Sequence, residues 1–342
     1  MDVKTNRASS RRPIGVRGPS VSLLGVGGGT LSGEAGREAQ EAMLTEAWRL
    51  GLRYFDTAPL YLAGESERRI GRVLQDCARG DQDRAHRDYV ISTKVGRYPS
   101  DSPRRNFDYS AEATRRSLEA SIRRLGGARI GIVLIHDVDV EMHGEDFSAV
   151  YAQVVEECFP VLAEARDAGL VDAIGLSARQ AEVCLRAIDD MDLDCVMMAG
   201  SYSLLNHEPL TTLFPSCEER NVGVLLASPF NSGILATGRP DSTYGYRAVR
   251  PDTLDRVSRI NAVCARHEVP IATAALLFAS FPRAVRSVVV GSKSPEEIDR
   301  NMAAFDAAVP DDFWRDLVRS GLLPEDAPTR AAASSDMDDA TA

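Results

Sequence analysis

Four side chains in this sequence have the types and spacing to do chemistry together. Asp56 stands in the short run "YFDTA", Tyr61 follows five positions later in "FDTAPLYLAGESE", Lys94 lies near the end of "YVISTKV", and His136 near the end of "IGIVLIHD". Taken singly, each has an ordinary structural role. A strand-end aspartate forms turns or caps helices, a loop tyrosine packs, and a lone histidine satisfies its own hydrogen bonds. The lysine is the odd one, because an ammonium on an apolar strand is costly to bury without a partner. Asp56 on a neighbouring strand is its natural partner. A phenol and an imidazole beside that ion pair are what carbonyl–alcohol interconversion by hydride transfer needs. Tyr61 would exchange a proton with the substrate oxygen, although an unperturbed phenol has a pKa of about 10. Lys94 would favour the phenolate and lower that value, Asp56 would hold Lys94 charged, and His136 would orient the substrate oxygen. No serine sits at a strand-to-helix elbow and no second histidine stands at ligand spacing, so neither a nucleophile nor a metal site is expected.

Short β-rich runs alternating with stretches of helical period must position these groups. The strand candidates are "VSLLG" (21–25), "YFDTA" (54–58), "YVISTKV" (89–95), "IGIVLIHD" (130–137), "VDAIGLS" (171–177), "CVMMAG" (195–200), "GVLLASP" (223–229) and "SVVVGS" (287–292). Eight parallel strands joined by helices close a barrel, so the expected class is α/β, a single-domain (β/α)8 TIM barrel. A doubly wound two-domain fold is the alternative, but no linker or composition shift divides the chain. The expected boundaries are an N-terminal tail at 1–19, the barrel at 20–325 and a disordered tail at 326–342. Ser110 caps one expected helix and Ser294 another, the latter with Pro295 at its first position and Glu297 placed for a capping box. In a barrel, chemistry belongs at the carboxyl ends of the strands, where Asp56, Lys94 and His136 fall.

The composition narrows the partners. With 40 basic and 50 acidic residues the 342-residue chain carries a formal charge of -10 and no basic stripe, which argues against nucleic acid. Six scattered cysteines form no C-x-x-C pair and read as small core residues in a reducing compartment. Arg11-Arg12 resembles the start of a twin-arginine signal, but Pro13, Gly15, Gly18 and Pro19 break any apolar run after it. No other run is long enough to span a bilayer, so no membrane partner and a cytoplasmic location are expected. The glycine stretch "GVGGGTL" fails as a Rossmann loop: it has Gly25 and Gly27, but the sixth place is Thr30.

From about Leu23 to about Ala304 the sequence resembles the aldo-keto reductase family. The resemblance rests on "FDTAPLY" with "GESERRIGRVL", "ISTKVG", "VLIHD", "IGLS" and "VGSKSPEEIDRN", in the family's order and spacing. It implies a (β/α)8 barrel that binds a nicotinamide cofactor without a Rossmann loop, and a tetrad of Tyr61, Lys94, Asp56 and His136. It also implies cofactor contacts from Gly27, Gly28, Gly29 and Thr30 under the nicotinamide end, where the glycines give room for ring and ribose. Further contacts are implied from Ser177, from Ser228, Phe230 and Ser232, and from Gly291, Ser292, Lys293, Glu297 and Asn301 at the phosphate end.

The departures are equally specific. Ala178 stands where many members carry the asparagine of a Ser-Asn pair, Gly200 where a glutamine is frequent, and Ala227 where an aromatic often stacks on nicotinamide; Phe230 is the candidate substitute for that ring. "GVGGGTLSG", "LIHDVDVEMHG", "AGSYSLLNH" and "SPFNSGILATG" resemble the branch of aldose 1-dehydrogenases and pyridoxal dehydrogenases. That branch implies oxidation of the C1 hemiacetal of an L-fucose, L-galactose or D-arabinose type aldose to a lactone, with NAD expected over NADP because Glu297 would repel a 2′-phosphate. The alternatives are a pyridoxal 4-dehydrogenase, a general aldehyde or ketone reductase, and a cofactor-binding regulatory subunit. Candidate substrate walls are Tyr98, Asp139, His143, Tyr244 and Tyr246; oligomeric state is left open.

Overall fold

Alternate residues of the eight expected runs face one another inside a closed barrel. The computed structural model describes residues 7–32, 36–79, 89–100, 106–239, 243–244 and 247–329. Its strands are β1 (Arg11–Pro13), β2 (Ser20–Ser22), β3 (Leu24–Gly27), β4 (Tyr54–Asp56), β5 (Val90–Val95), β6 (Ile130–Ile135), β7 (Val171–Ala178), β8 (Cys195–Ala199), β9 (Gly223–Ala227), β10 (Thr243–Tyr244), β11 (Arg247–Ala248) and β12 (Val285–Gly291). The barrel closes in the order β12-β3-β4-β5-β6-β7-β8-β9 with every pairing parallel, and helices such as Glu65–Arg79 and Ala111–Arg124 run between the strands. The fold is the expected (β/α)8 TIM barrel.

Two apolar layers follow from the period-two alternation of the strands. Tyr54, Ile132, Leu134, Ala173, Cys195, Met197, Leu225 and Val289 fill the barrel interior, whereas residues such as Phe55, Ile91, Val133, Ile174 and Val288 belong to a larger cluster shared with the helices. Ser110 caps the helix Ala111–Arg124, its hydroxyl accepting from Ala113 N–H at 3.3 Å. All six cysteines are free thiols and five are buried. Among the described residues no single helix is long and apolar enough to cross a membrane.

Regular structure extends towards both ends of the described residues. Within the segment expected as an N-terminal tail, β1 pairs antiparallel with β2, and Ile14 is fully buried, joining Val21 of β2 in the inner cluster. Arg12, half of the arginine pair that resembles an export signal, donates to the Val285 carbonyl at 2.5 Å where β12 begins. Burial, with Arg7 and Arg286 nearby, lowers its pKa to about 10. The hairpin is thus a plug at the amino-terminal ends of the barrel strands. The expected run 21–25 accordingly divides: β2 ends at Ser22, whose hydroxyl donates to the Leu24 carbonyl at 2.7 Å, and the barrel strand starts at Leu24. At the other end Ala327 and Thr329 are still buried; residues 330–342 of the expected tail lie outside the described residues.

Candidate active site

Asp56 and Lys94 occupy the last inward positions of adjacent strands β4 and β5. Lys94 Nζ donates to Asp56 Oδ1 and Oδ2, each at 2.7 Å, and to the Thr57 carbonyl at 2.8 Å, so all three ammonium protons have acceptors. Both side chains are deeply buried, 1% and 5% exposed. A chain of hydroxyls supports the carboxylate from within the barrel: Ser92 Oγ donates to Asp56 Oδ1 at 2.7 Å, and Tyr54 OH lies 3.0 Å from Ser92 Oγ. Burial by itself disfavours the Lys94 ammonium, but Asp56 and the Tyr61 phenol outweigh it and hold its pKa above the ordinary lysine value.

Tyr61 comes from the turn after β4. Leu62 and Ala63 behind it have φ of 52° and 50°, a left-handed pair costly for residues with a Cβ. Lys94 Nζ lies 5.0 Å from the Tyr61 ring centroid, and the His136 ring stands edge-on to the phenol with centroids 6.0 Å apart. The net shift of Tyr61 runs opposite to the sequence expectation. Withdrawal from water raises its pKa to about 12, and the adjacent Lys94 ammonium offsets that rise only in part.

His136 follows the end of β6, and the next residue, Asp137, has φ of 53° rather than continuing the expected strand. Burial lowers the His136 pKa to about 3, so the imidazole is neutral. Its Nε2 lies 3.5 Å from Asp137 Oδ2, and its Nδ1 is buried without a hydrogen-bond partner. Asp137 is fixed in turn by an ion pair with Arg97, and its carbonyl lies 3.1 Å from His143 Nε2.

These four groups line one cavity of about 510 Å³ at the carboxyl ends of the strands. Ser177, Ala199, Gly200, Ala227, Ser228, Asn231 and Ser232 form one part of its wall; Arg97, Asp137, Glu141, Arg179 and Gln180 form another. Sequence reasoning missed most of that second group and Asn231. The available signals were position alone: Asp137 directly after His136, and Asn231 in the Gly/Ser-containing loop after a strand. Of the expected substrate walls, Tyr98, Asp139 and His143 do not line the cavity. They stand one layer back, Tyr98 OH accepting from Gly96 N–H at 2.9 Å and Asp139 Oδ1 accepting from Arg179 N–H at 2.5 Å. Tyr246 and the side chain of Tyr244 lie outside what the structure describes.

The expected cofactor residues divide into two groups. Thr30 Oγ1 donates to the Ser292 carbonyl at 3.2 Å, tying the loop after β3 to the loop after β12. Beyond it Asn301 Nδ2 donates to Ser292 Oγ at 3.1 Å, and the helix Pro295–Asp306 starts with Ser294 as its cap. Glu297 Oε2 accepts from Lys293 N–H at 2.8 Å, a one-residue variant of the expected capping box. Of the glycines, Gly28 has a packing reason of its own: a Cβ there would lie 2.6 Å from Ser66 Oγ and 2.7 Å from the Asp56 carbonyl, whereas at Gly27 and Gly29 the nearest atoms lie at 3.4 Å and 3.6 Å, ordinary contact. Phe230, the candidate substitute for the missing aromatic, is half-buried against the outer core and is not part of the cavity lining.

A closed (β/α)8 barrel thus carries a phenol, an ammonium, a carboxylate and a neutral imidazole on its carboxyl rim, the set of groups that hydride transfer coupled to proton movement would use. The Aldo/keto reductase family model matches residues 23–320. A D-threo-aldose 1-dehydrogenase from a Pseudomonas species is 33% identical over 93% of this chain and 99% of its own. A pyridoxal 4-dehydrogenase from Microbacterium luteolum is also 33% identical, over 93% and 99%. Among solved structures, an aldo-keto reductase from Bacillus halodurans in its holo form superposes with a TM-score of 0.73 over 94% of this chain and 99% of that one, at 23% identity. The chain belongs to the aldo/keto reductase family and is an NAD(P)-dependent oxidoreductase.

Proposed function

We propose that the chain oxidises the C1 hemiacetal carbon of an aldose of the L-fucose, L-galactose or D-arabinose type to a lactone. The observation that carries this is the polarity of the cavity wall: Arg97, Asp137, Glu141, Arg179, Gln180 and Asn206 suit a ring bearing several hydroxyls. The similarity to a D-threo-aldose 1-dehydrogenase supports the same reading. The hemiacetal of pyridoxal, suggested by the second relative, would want an aromatic face to stack on. Apart from Tyr61 and His136, the described lining offers none.

The residues expected to hold a nicotinamide dinucleotide fit it: a Ser294-capped helix start beside Ser292 and Lys293 suits the phosphates, and the cavity wall beside Tyr61 keeps an unpartnered amide oxygen on Asn231. When bound, the nicotinamide supplies hydride acceptance. Tyr61 takes the substrate hydroxyl proton onto its phenolate oxygen, Lys94 stabilises that phenolate, Asp56 keeps Lys94 charged and fixed, and His136 orients the reacting oxygen as a neutral imidazole. With the Tyr61 pKa raised to about 12, the phenolate is the minor form at neutral pH, so oxidation accelerates with rising pH wherever chemistry limits the rate. NAD is the preferred cofactor on this reading, because Glu297 at the helix start repels a 2′-phosphate while accepting from a free ribose hydroxyl. The free thiols fit a reducing compartment such as the cytoplasm.

A panel of aldoses and pyridoxal, each with NAD and NADP, tests the proposal by following reduced cofactor, with hydroxylamine added only to withdrawn samples, where it traps the lactone as a hydroxamate without consuming the aldehyde substrates of the assay as oximes. Fastest turnover is expected with a six- or five-carbon aldose and NAD, with early hydroxamate. Turnover confined to pyridoxal, or free acid alone under conditions where authentic lactone survives, would refute it.

A further inference from the structure

The loop after β9 brings to the cavity a buried side chain that is only half satisfied. Ser228, Asn231 and Ser232 all have left-handed φ, 57°, 47° and 62°, in a stretch of five residues, although none is glycine. Asn231 is 4% exposed and lines the cavity. Its Nδ2 donates to the Gly200 carbonyl at 2.8 Å, and Gly200 itself has φ of 71°. That bond fixes the amide plane between the loops after β8 and β9 and assigns Oδ1 to the other side, where it has no hydrogen-bond partner. A buried amide oxygen without a donor is destabilising, and left-handed backbone at a residue with a Cβ is destabilising as well. A fold that keeps both at the wall of its reaction cavity is arranged for a ligand donor.

Nicotinamide presents one such donor, the N–H of its carboxamide. At the ends of β7 and β8, Ala178, Ala199 and Gly200 provide no side chain able to accept it; the Ser177 and Ser201 hydroxyls on the same wall can accept, but neither is a buried oxygen left without a partner. Gln180 Oε1 is also unpartnered on the cavity wall, but Gln180 is only half-buried and neighbours Arg179, the partner of Glu141. We infer that Asn231 is the acceptor for the nicotinamide carboxamide, supplied from the loop after β9, and that it thereby fixes the orientation of the ring relative to Tyr61. The inference rests on the nicotinamide dependence given above.

Equilibrium binding to the wild type and to Asn231→Ala, read by intrinsic fluorescence or calorimetry without substrate, tests it with three probes. These are NADH, the reduced 3-acetylpyridine dinucleotide, whose methyl ketone has no N–H to donate, and ADP-ribose, which has no nicotinamide. The wild type is expected to favour NADH over the acetylpyridine analogue by about fivefold, the worth of one neutral hydrogen bond. Asn231→Ala should erase that preference and leave ADP-ribose binding unchanged. A preference that survives in Asn231→Ala, or one that disappears in Gln180→Ala instead, overturns the assignment, as does equal weakening of NADH and ADP-ribose. Should Asn231→Ala fail to fold, the wild type alone decides, because equal affinity for the two dinucleotides also overturns it. A wild type that binds neither NADH nor ADP-ribose would remove the nicotinamide reading itself, whereas ADP-ribose binding without the preference removes only the role of Asn231.

Discussion

At the amino-terminal end of the barrel Asp194 accepts from Arg166 at 2.8 Å and from the Ile174 N–H at 2.9 Å; at the carboxyl end Asp56 accepts from Lys94 and Ser92, both at 2.7 Å. Both are buried ion pairs, yet their surroundings differ. Around Asp194 the chain is closed by apolar plugging, with Ile14 and Val21 fully buried against the barrel interior, and the polar atom left over is the Arg166 Nε donor of a guanidinium otherwise bound to Asp192 and Asp194. Around the cavity that Asp56 lines the leftovers are Arg97 Nε, His136 Nδ1, Gln180 Oε1 and Asn231 Oδ1. The backbone divides the same way. Among the described non-glycine residues, Leu62, Ala63, Asp137, Ser228, Asn231 and Ser232 carry left-handed φ in the loops after barrel strands, and only Asn221 and Glu268 do so elsewhere. One end of the barrel is built to hold the fold together, and the other holds strain and unsatisfied groups where chemistry can use them.

The largest expected effect sharpens this division. Tyr61→Phe removes a proton carrier and no packing, so kcat should fall roughly a hundredfold to ten-thousandfold. Its melting temperature and its affinity for NADH should stay near wild type; a substantial loss of stability would mean that the phenol belongs to the structural end of the comparison. Lys94→Met comes next. It should lose activity on a similar scale and also unfold at lower urea, because it strands the Asp56 carboxylate in a buried site at a cost of about 3–5 kcal/mol. Adding Asp56→Asn should restore part of that stability and none of the activity. If the single variant unfolds like wild type, the ion pair does not carry the load assigned to it.

Ile14→Ala tests the other end. Truncating a fully buried plug residue should cost about 2–5 kcal/mol in urea unfolding, while kcat/KM of the folded protein stays unchanged. A marked fall in kcat/KM would break the separation between the two ends. The last effect, absent at neutral pH, is on acid stability. His136 has a folded pKa of about 3, below its ordinary value of about 6.5, so the unfolded chain takes up a proton first as pH falls. The stability from keeping His136 neutral is therefore complete above pH of about 6.5 and is lost towards pH of about 3, at up to about 1.4 kcal/mol per pH unit. His136→Asn should flatten the wild-type dependence by that slope; parallel curves for the two proteins would contradict a buried neutral imidazole.

Much of this division was legible before any coordinates. The eight strand runs, the caps at Ser110 and Ser294 and the closeness of Asp56, Tyr61, Lys94 and His136 follow from alternation and from the cost of burying a lysine alone. The substrate walls were misplaced because sequence shows that a loop follows a strand but not which of its residues turn inward. Tyr98 and His143 bond back to their own loops, while Arg97 and Asp137, one residue from the expected positions or beside the tetrad, face the cavity. The plug was missed because β1 and β2 have three residues each, too few to show a period. The sign of the Tyr61 shift was missed because Lys94 is visible in a sequence whereas the extent of burial is not.

By itself, then, the sequence determined the elements, since local periodicity and capping act over a few residues, and it determined that Lys94 and Asp56 have to meet, since an unpaired ammonium could not be buried otherwise. The tertiary structure alone decided which atoms were left without partners. Whether Asn231 Oδ1 or His136 Nδ1 finds a donor depends on loops 30 to 100 residues apart closing around one cavity, and whether Gly28 is bare for a ligand or for Ser66 depends on how a helix lies against a strand. Those are distances between elements, and no spacing along the chain encodes them.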